Sequence, residues 1–142
     1  MSYDLFNNIK VSRGMSPIAA VTNNTAFTSQ ILDTANFASN MFIWCAGSIA
    51  DVDVTFTLLV EDGDESDLSD AAAVADAQLF GTEASGAPLL GSDNKTGKIG
   101  YKGVKRYVRV TITPANNTGN IFLAGVWLQG SPRSKPQSTQ IV

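Results

Sequence analysis

The chain has 142 residues, 44% of them hydrophobic and 16% charged, with 13 acidic against 10 basic side chains and a net charge of -3. That length suits one domain with a sizeable core and leaves little for a second. It contains no histidine, which excludes a Ser-His-Asp triad, a Cys-His pair and the usual zinc sites. Cys45 is the one cysteine, so no internal disulfide can form, and its apolar neighbours Ile43 and Trp44 predict a buried, inert thiol.

The longest apolar run, residues 41–46, is far shorter than the ~20 residues a membrane-spanning helix needs, and the first residues show no apolar signal region. The expectation is a soluble protein made in the cytosol, with no membrane partner. Charge is distributed unevenly. Residues 14–94 hold twelve acids and no Lys or Arg, and residues 95–142 hold eight bases and no acid. If the fold keeps these halves apart, an acidic and a basic patch result, suited to ordered association; if it pairs them strand by strand, they neutralise one another.

In chain order, residues 1–20 read as an N-terminal arm: Leu5, Phe6, Ile9, Val11 and Met15 follow no sustained period, and Gly14 and Pro17 punctuate them. Such an arm needs a surface to lie on. Residues 21–130 read as the folded domain. Val21, Phe27, Ile31 and Leu32 suggest one or two short strands, and Asn23-Asn24 and Gly47-Ser48 are turn signals. Residues 41–45 form a strand without clean alternation, as for one covered on both faces.

Residues 51–61 alternate with a two-residue period, Val52, Val54, Phe56, Leu58 and Val60 against polar neighbours, with Leu59 alone interrupting the polar face. Glu61, Asp62, Asp64, Glu65, Asp67 and Asp70 then crowd around Gly63, a solvated turn or a surface for a cationic partner. Leu68, Ala72, Ala75 and Leu79 fall at helical spacing, with Ser66 or Asp67 as the cap and Gly81 as the stop, which predicts a short helix.

Residues 82–96 read as a long loop with one edge strand. Residues 98–113 form the second clear strand region, with a turn or bulge at Gly100 and Gly103. Residues 114–120 read as a hairpin-like turn, and residues 121–129 as the last strand, carrying Trp127. Residues 131–142 lose all periodicity and predict an extended C-terminal tail. The fold class is therefore all-β: an antiparallel β-sandwich or barrel, jelly-roll-like, with one short helix and extended terminal arms.

Motifs for chemistry fail on inspection. Asp62, Asp64 and Ser66 occupy the first, third and fifth positions of a calcium loop, but Asp67 stands where the sharp turn needs Gly and Ala73 where a bidentate Glu belongs. Residues 91–98, GSDNKTGK, depart from a phosphate loop in glycine spacing and in Ile99, where Ser or Thr must hold magnesium. The N-x-T sequons at Asn23, Asn94 and Asn116 read as turns. No cofactor, no metal and no catalytic residue is expected, and the protein reads as not an enzyme.

Lys95, Lys98, Lys102, Lys105, Arg106 and Arg109, interleaved with Tyr101 and Tyr107, could track a phosphate backbone. The sequence pI of about 4.7 and the acids upstream count against nucleic acid. Arg106 and Arg109 read instead as contacts to a protein or a neighbouring subunit.

The string LVEDGDESDLSDAAAVADAQLFGTE, followed by DNKTGKIGYKGVKRYVRVTITPANNTGN and a short Pro-Arg tail, resembles a family of small proteins encoded beside the major capsid protein in tailed bacteriophages. The resemblance runs from about residue 30 to residue 133 and is most specific over residues 59–76 and 98–118. It implies a head-decorating or cement role on the outer virion surface, with the major capsid protein as partner and copies often assembled as trimers at threefold or quasi-threefold positions. Arms serve such a role: Phe6, Ile9 and Ile141 could be buried across a subunit boundary, with Lys10, Arg13, Arg133 and Lys135 meeting acidic shell surface. The alternative from another class is a virion or tail-associated β-sandwich that recognises a surface glycan. Exposed aromatics would serve it, yet Trp44 and Trp127 sit in apolar strands and read as core.

Overall fold

In the computed structural model, which describes residues 3–142, two five-stranded antiparallel sheets face each other across one core. Met1 and Ser2, the start of the expected arm, lie outside the described residues. The strands are β1 (Ile9–Met15), β2 (Phe27–Thr28), β3 (Leu32–Asp33), β4 (Phe37–Ile49), β5 (Thr55–Gly63), β6 (Ala72–Ala73), β7 (Leu79–Phe80), β8 (Thr96–Tyr101), β9 (Tyr107–Ala115) and β10 (Ile121–Pro132). Sheet A has the order β1-β10-β4-β8-β7; in sheet B, β9 carries β2 and β3 on one side and β5 then β6 on the other. The all-β sandwich expected from the sequence is the fold observed.

Alternation builds the core, as the two-residue strand period demands. On β4, Phe42, Trp44 and Ala46 point inward; on β10, Leu123 and Trp127 do; on β9, Val108, Val110 and Ile112 are fully buried. Phe42 and Trp127 meet edge to face, centroids 5.0 Å apart at 66°, a favoured aromatic geometry. Gly14 and Gly125 make room for Phe42: a Cβ on Gly125 would stand 2.3 Å from its ring, and one on Gly14 2.6 Å. Both tryptophans are core, as expected, and each finds a carbonyl: Trp44 Nε1 donates to Gly86 O at 2.6 Å and Trp127 Nε1 to Gln30 O at 3.1 Å. Gln129, almost wholly buried, donates to Asp33 O and to Asn40 Oδ1, so its burial leaves no amide hydrogen bond unmade at that end.

Several expectations are corrected. The predicted helix through Leu68, Ala72, Ala75 and Leu79 does not form. Leu68 has φ +56, and the segment runs through β6, a 3-10 turn at Asp76–Gln78 and β7. Leu68, Val74 and Leu79 reach the core while Ala72 and Ala75 stay exposed. Two alanines offer too little area to hold so short a helix, whereas the free edge of β5 supplies backbone partners: Val74 N donates to Val60 O at 2.9 Å. The α-helix, α1 (Glu83–Gly86), lies in the stretch expected as a loop with an edge strand, capped by Thr82 accepting from Ser85 N.

Within the segment read as an N-terminal arm, residues 9–15 are β1, paired with β10 from Ile9↔Gly130 to Met15↔Gly125. The expected hairpin turn at residues 114–120 is a corner between sheets, since β9 belongs to sheet B and β10 to sheet A. Asn117 is buried there, its side chain donating to the Val21 and Asn23 carbonyls. Residues 133–142 carry no helix or strand, and Gln137 N donates to Asn7 O at 2.8 Å, which lays the tail back beside β1.

Candidate functional site

The two outer faces of the sandwich differ in chemistry. On sheet B the outward positions of β5 and β9 are mostly threonine and paired charge: Thr55, Thr57 and Glu61 lie beside Ala115, Thr113 and Arg109, and Leu59 opposes Thr111. Arg109 Nη2 meets Glu61 Oε2 at 2.8 Å, and Arg106 forms two 2.9 Å bonds to the Asp33 carboxylate. Lys105 pairs with Asp64. Three bases of the sequence cluster are thus neutralised by acids from the other half of the chain, the interleaving the charge distribution left open.

On sheet A the outward positions are apolar. Register places them in rows across the strands. Val11, Leu128, Met41, Gly100 and Phe80 form one row, and Arg13, Val126, Ile43 and Lys98 the next. Ala124, Cys45 and Thr96 make a third, with Phe122 beyond. Val11 is 44% exposed, Phe122 43%, Val126 38% and Phe80 64%. Between the first row and the chain entering β1 lies a groove of about 490 Å3, lined by Ile9, Met41, Phe80, Gly100, Leu128 and Lys98 among others.

The rows hold five, four and three positions with Phe122 beyond, and at ~4.8 Å between strands and ~7 Å between rows they span about 400 Å2, Arg13, Lys98 and Thr96 included. A monomer's largest apolar patch is about 300–600 Å2, and patches of that size are commonly functional. Its electrostatics are one-sided as well. The five strands of sheet A contain Lys10, Arg13 and Lys98 and no Asp or Glu. Among the described residues neither Arg13 nor Lys98 meets a carboxylate; Arg13 reaches only Ser16 Oγ, at 3.2 Å. Lys102 lies 4.6 Å over the Phe80 ring and Lys10 5.9 Å from that of Phe37, which adds cationic character along both edges.

Cys45 belongs to this face and is exposed, a correction to the buried thiol expected from its neighbours. The strand through residues 41–45 is covered on one side only: Phe42 and Trp44 are in the core, and Met41, Ile43 and Cys45 face outward.

Of the contact residues suggested by the sequence, Ile9 and Arg13 lie on the outer side of β1 and Lys10 on the same strand. Phe6 is exposed on a 3-10 turn at Phe6–Asn8 just before it, held by Asp4 accepting from Asn7 N and Nδ2. Arg133, Lys135 and Ile141 are exposed on the tail, Ile141 at 90%. Arg106 and Arg109 are not brought to this group; they belong to the side of sheet B, in the ion pairs above. Sequence reasoning passed over Val11, Val126 and Leu128 as contacts, whose signal was present: β10 carries apolar residues at both parities, and on β1 Ile9 and Val11 alternate with Lys10 and Ser12.

The acidic turn is internally organised. Asp70 accepts from Asp64 N at 2.8 Å and Glu65 N at 3.1 Å, which holds its carboxyl below the usual value. A Cβ at Gly63 would stand 2.3 Å from Asp70 Oδ1. Asp62 turns inward and accepts from the Tyr101 hydroxyl at 2.7 Å, a bond between sheets; burial first, then that bond, pushes the Tyr101 phenol well above its ordinary range.

Fold and surface together define a β-sandwich with one polar and one apolar, cation-edged outer face. No protein-family model matches the chain, and a search of curated proteins finds no significant match.

Proposed function

We propose that this protein is a structural component of a tailed-phage head, which binds the outside of the capsid and stabilises the shell by bridging major capsid protein subunits as a homo-oligomer. The observation that carries the reading is the outer face of sheet A, an open, mostly apolar surface of the size that on a monomer is often functional. The sequence resemblance to capsid-decorating proteins supplies the kind of partner. Bridging adds contact area between subunits without altering the shell fold, and many copies on one particle act together. Trp44 and Trp127, the side chains best suited to stack on a sugar, are in the core, so no observation favours glycan recognition.

The test is to mix purified protein with undecorated heads, separate particles by sedimentation and count bound copies. Saturation at a fixed ratio to the major capsid protein, with heads more resistant to heat, is the expected result. Absence of binding, with the protein at a few copies in the tail fraction, would overturn the proposal.

A further inference from the structure

Resting on that reading, we infer that the outer face of sheet A, and not the terminal arms, is the surface laid against the shell, and that its partner is an apolar protein surface flanked on both sides by carboxylates. The argument is one of charge and area. In the row Arg13, Val126, Ile43, Lys98, two branched aliphatic side chains sit between two cations. A partner that buries the middle of that row must approach both ends, and approach is favourable only if it brings negative charge there.

A second copy does not supply it by face-to-face packing. A two-fold axis along the row or across its middle sets Arg13 against Arg13 or Lys98 of the second copy, and at any other angle in the plane each cation still meets a face whose strands contain no acid. The small apolar patch at Val52, Leu89 and Leu90, beside Asp53, has three large apolar residues and cannot cover four rows. Lys102, over the Phe80 ring, adds a further cation at the rim of the face. The occupant is therefore a different protein with an acid-edged apolar surface, which in the proposed setting is the shell subunit. Sheet B, with its threonines and satisfied ion pairs, and the acidic turn then face away.

The test uses the full-length chain and two variants of exposed face residues, Arg13→Glu and Val126→Glu, with Thr111→Glu on sheet B as the control. Each is first checked for a wild-type melting profile; Arg13 is exposed, so it remains informative if Val126→Glu fails to fold. Binding to undecorated heads is measured by sedimentation at low and at raised salt. The inference expects a tenfold or greater loss of affinity for both face variants, no loss for Thr111→Glu, and wild-type binding that weakens as salt rises. Wild-type binding by both face variants overturns it while leaving the proposed function intact. Face variants that instead turn an oligomer of the free protein into monomers also overturn it, since a second copy then occupies the face. No binding by the wild type overturns the proposed function itself.

Discussion

Sheet A and sheet B share one core and follow the same inward alternation, yet their outer faces were built for different surroundings. Sheet B shows what a strand pair needs to meet water: threonines in cross-strand pairs and the Glu61–Arg109 pair directly opposed in register. On sheet A the row of Val126 and Ile43 ends in Arg13 and Lys98, neither of which meets a carboxylate among the described residues, and the strands contain no acid. Both sheets send fully buried side chains into the one core, so the difference is confined to their outer surfaces.

The largest perturbation should strike both sheets at once. Trp127→Ala removes the ring that Phe42 packs against and should cost about 3–5 kcal/mol by urea denaturation, with sheet A and sheet B amides losing protection together in hydrogen exchange. Loss confined to sheet A would mean that the sheets do not share a cooperative core.

Tyr101→Phe breaks the bond from β8 of sheet A to Asp62 of sheet B and leaves a buried carboxylate without its hydroxyl partner. A loss of about 1–3 kcal/mol is expected. An unchanged midpoint would show that Asp62 finds another donor.

Acid should separate the two sheets. Asp33, Asp51 and Asp70 all titrate below their ordinary value of 3.8, held down chiefly by Arg106, by the Asp53 and Thr118 amides, and by the Asp64 and Glu65 amides respectively. Their folded values lie below the unfolded ones, so the stability they add is complete above the unfolded value and is lost as pH falls through the folded one. Melting temperature should therefore drop between about pH 5 and pH 2. Asp33 and Asp70 lie in or beside sheet B, Asp51 bonds Thr118 at the corner between the sheets, and the strands of sheet A contain no carboxylate, so exchange should rise first in β3, β5 and β6 and in the turn before β1, where Asn7 holds the Asp4 carboxyl low. Equal or earlier opening of β1 and β10 would contradict the assignment.

The smallest effect is expected where the surface is most unusual. Val126→Thr with Ile43→Thr should cost no more than about 1 kcal/mol, because Val126 is exposed, Ile43 is only half-buried and the two lie opposite each other in register, while binding of a hydrophobic dye falls. A large destabilisation would show that the face is already covered in the free protein.

The sequence made the strands legible wherever one face meets water. In β5 and β9 the alternation is clean, and Trp44 and Trp127, set in apolar strands, read correctly as core. It misled where two patterns coincide. Leu68, Ala72, Ala75 and Leu79 keep helical spacing, but spacing does not weigh side-chain area, and a lone edge of β5 attracts the backbone more than two alanines can resist. The apolar strand at residues 41–45 suggested cover on both faces, but only Phe42 and Trp44 enter the core while Met41, Ile43 and Cys45 face outward; an unbroken apolar run does not say which of its faces the core takes. β1 was hidden because Lys10, Ser12 and Arg13 blur its period, although the residues suggested there as contacts, Ile9, Lys10 and Arg13, all lie on it. Which bases are neutralised was not legible either, because the pairing of Arg106 with Asp33 and of Arg109 with Glu61 depends on strand order.

The central claim is that the outer face of sheet A is open in the free protein and closed by a partner. Cys45, the one cysteine, lies on that face and is exposed, so its rate of alkylation reports the claim without any substitution. The account predicts rapid labelling of the free protein and strong protection, by tenfold or more, once it is bound to capsids at saturation. Equal labelling of free and capsid-bound protein, or a thiol already protected before any partner is added, would contradict it.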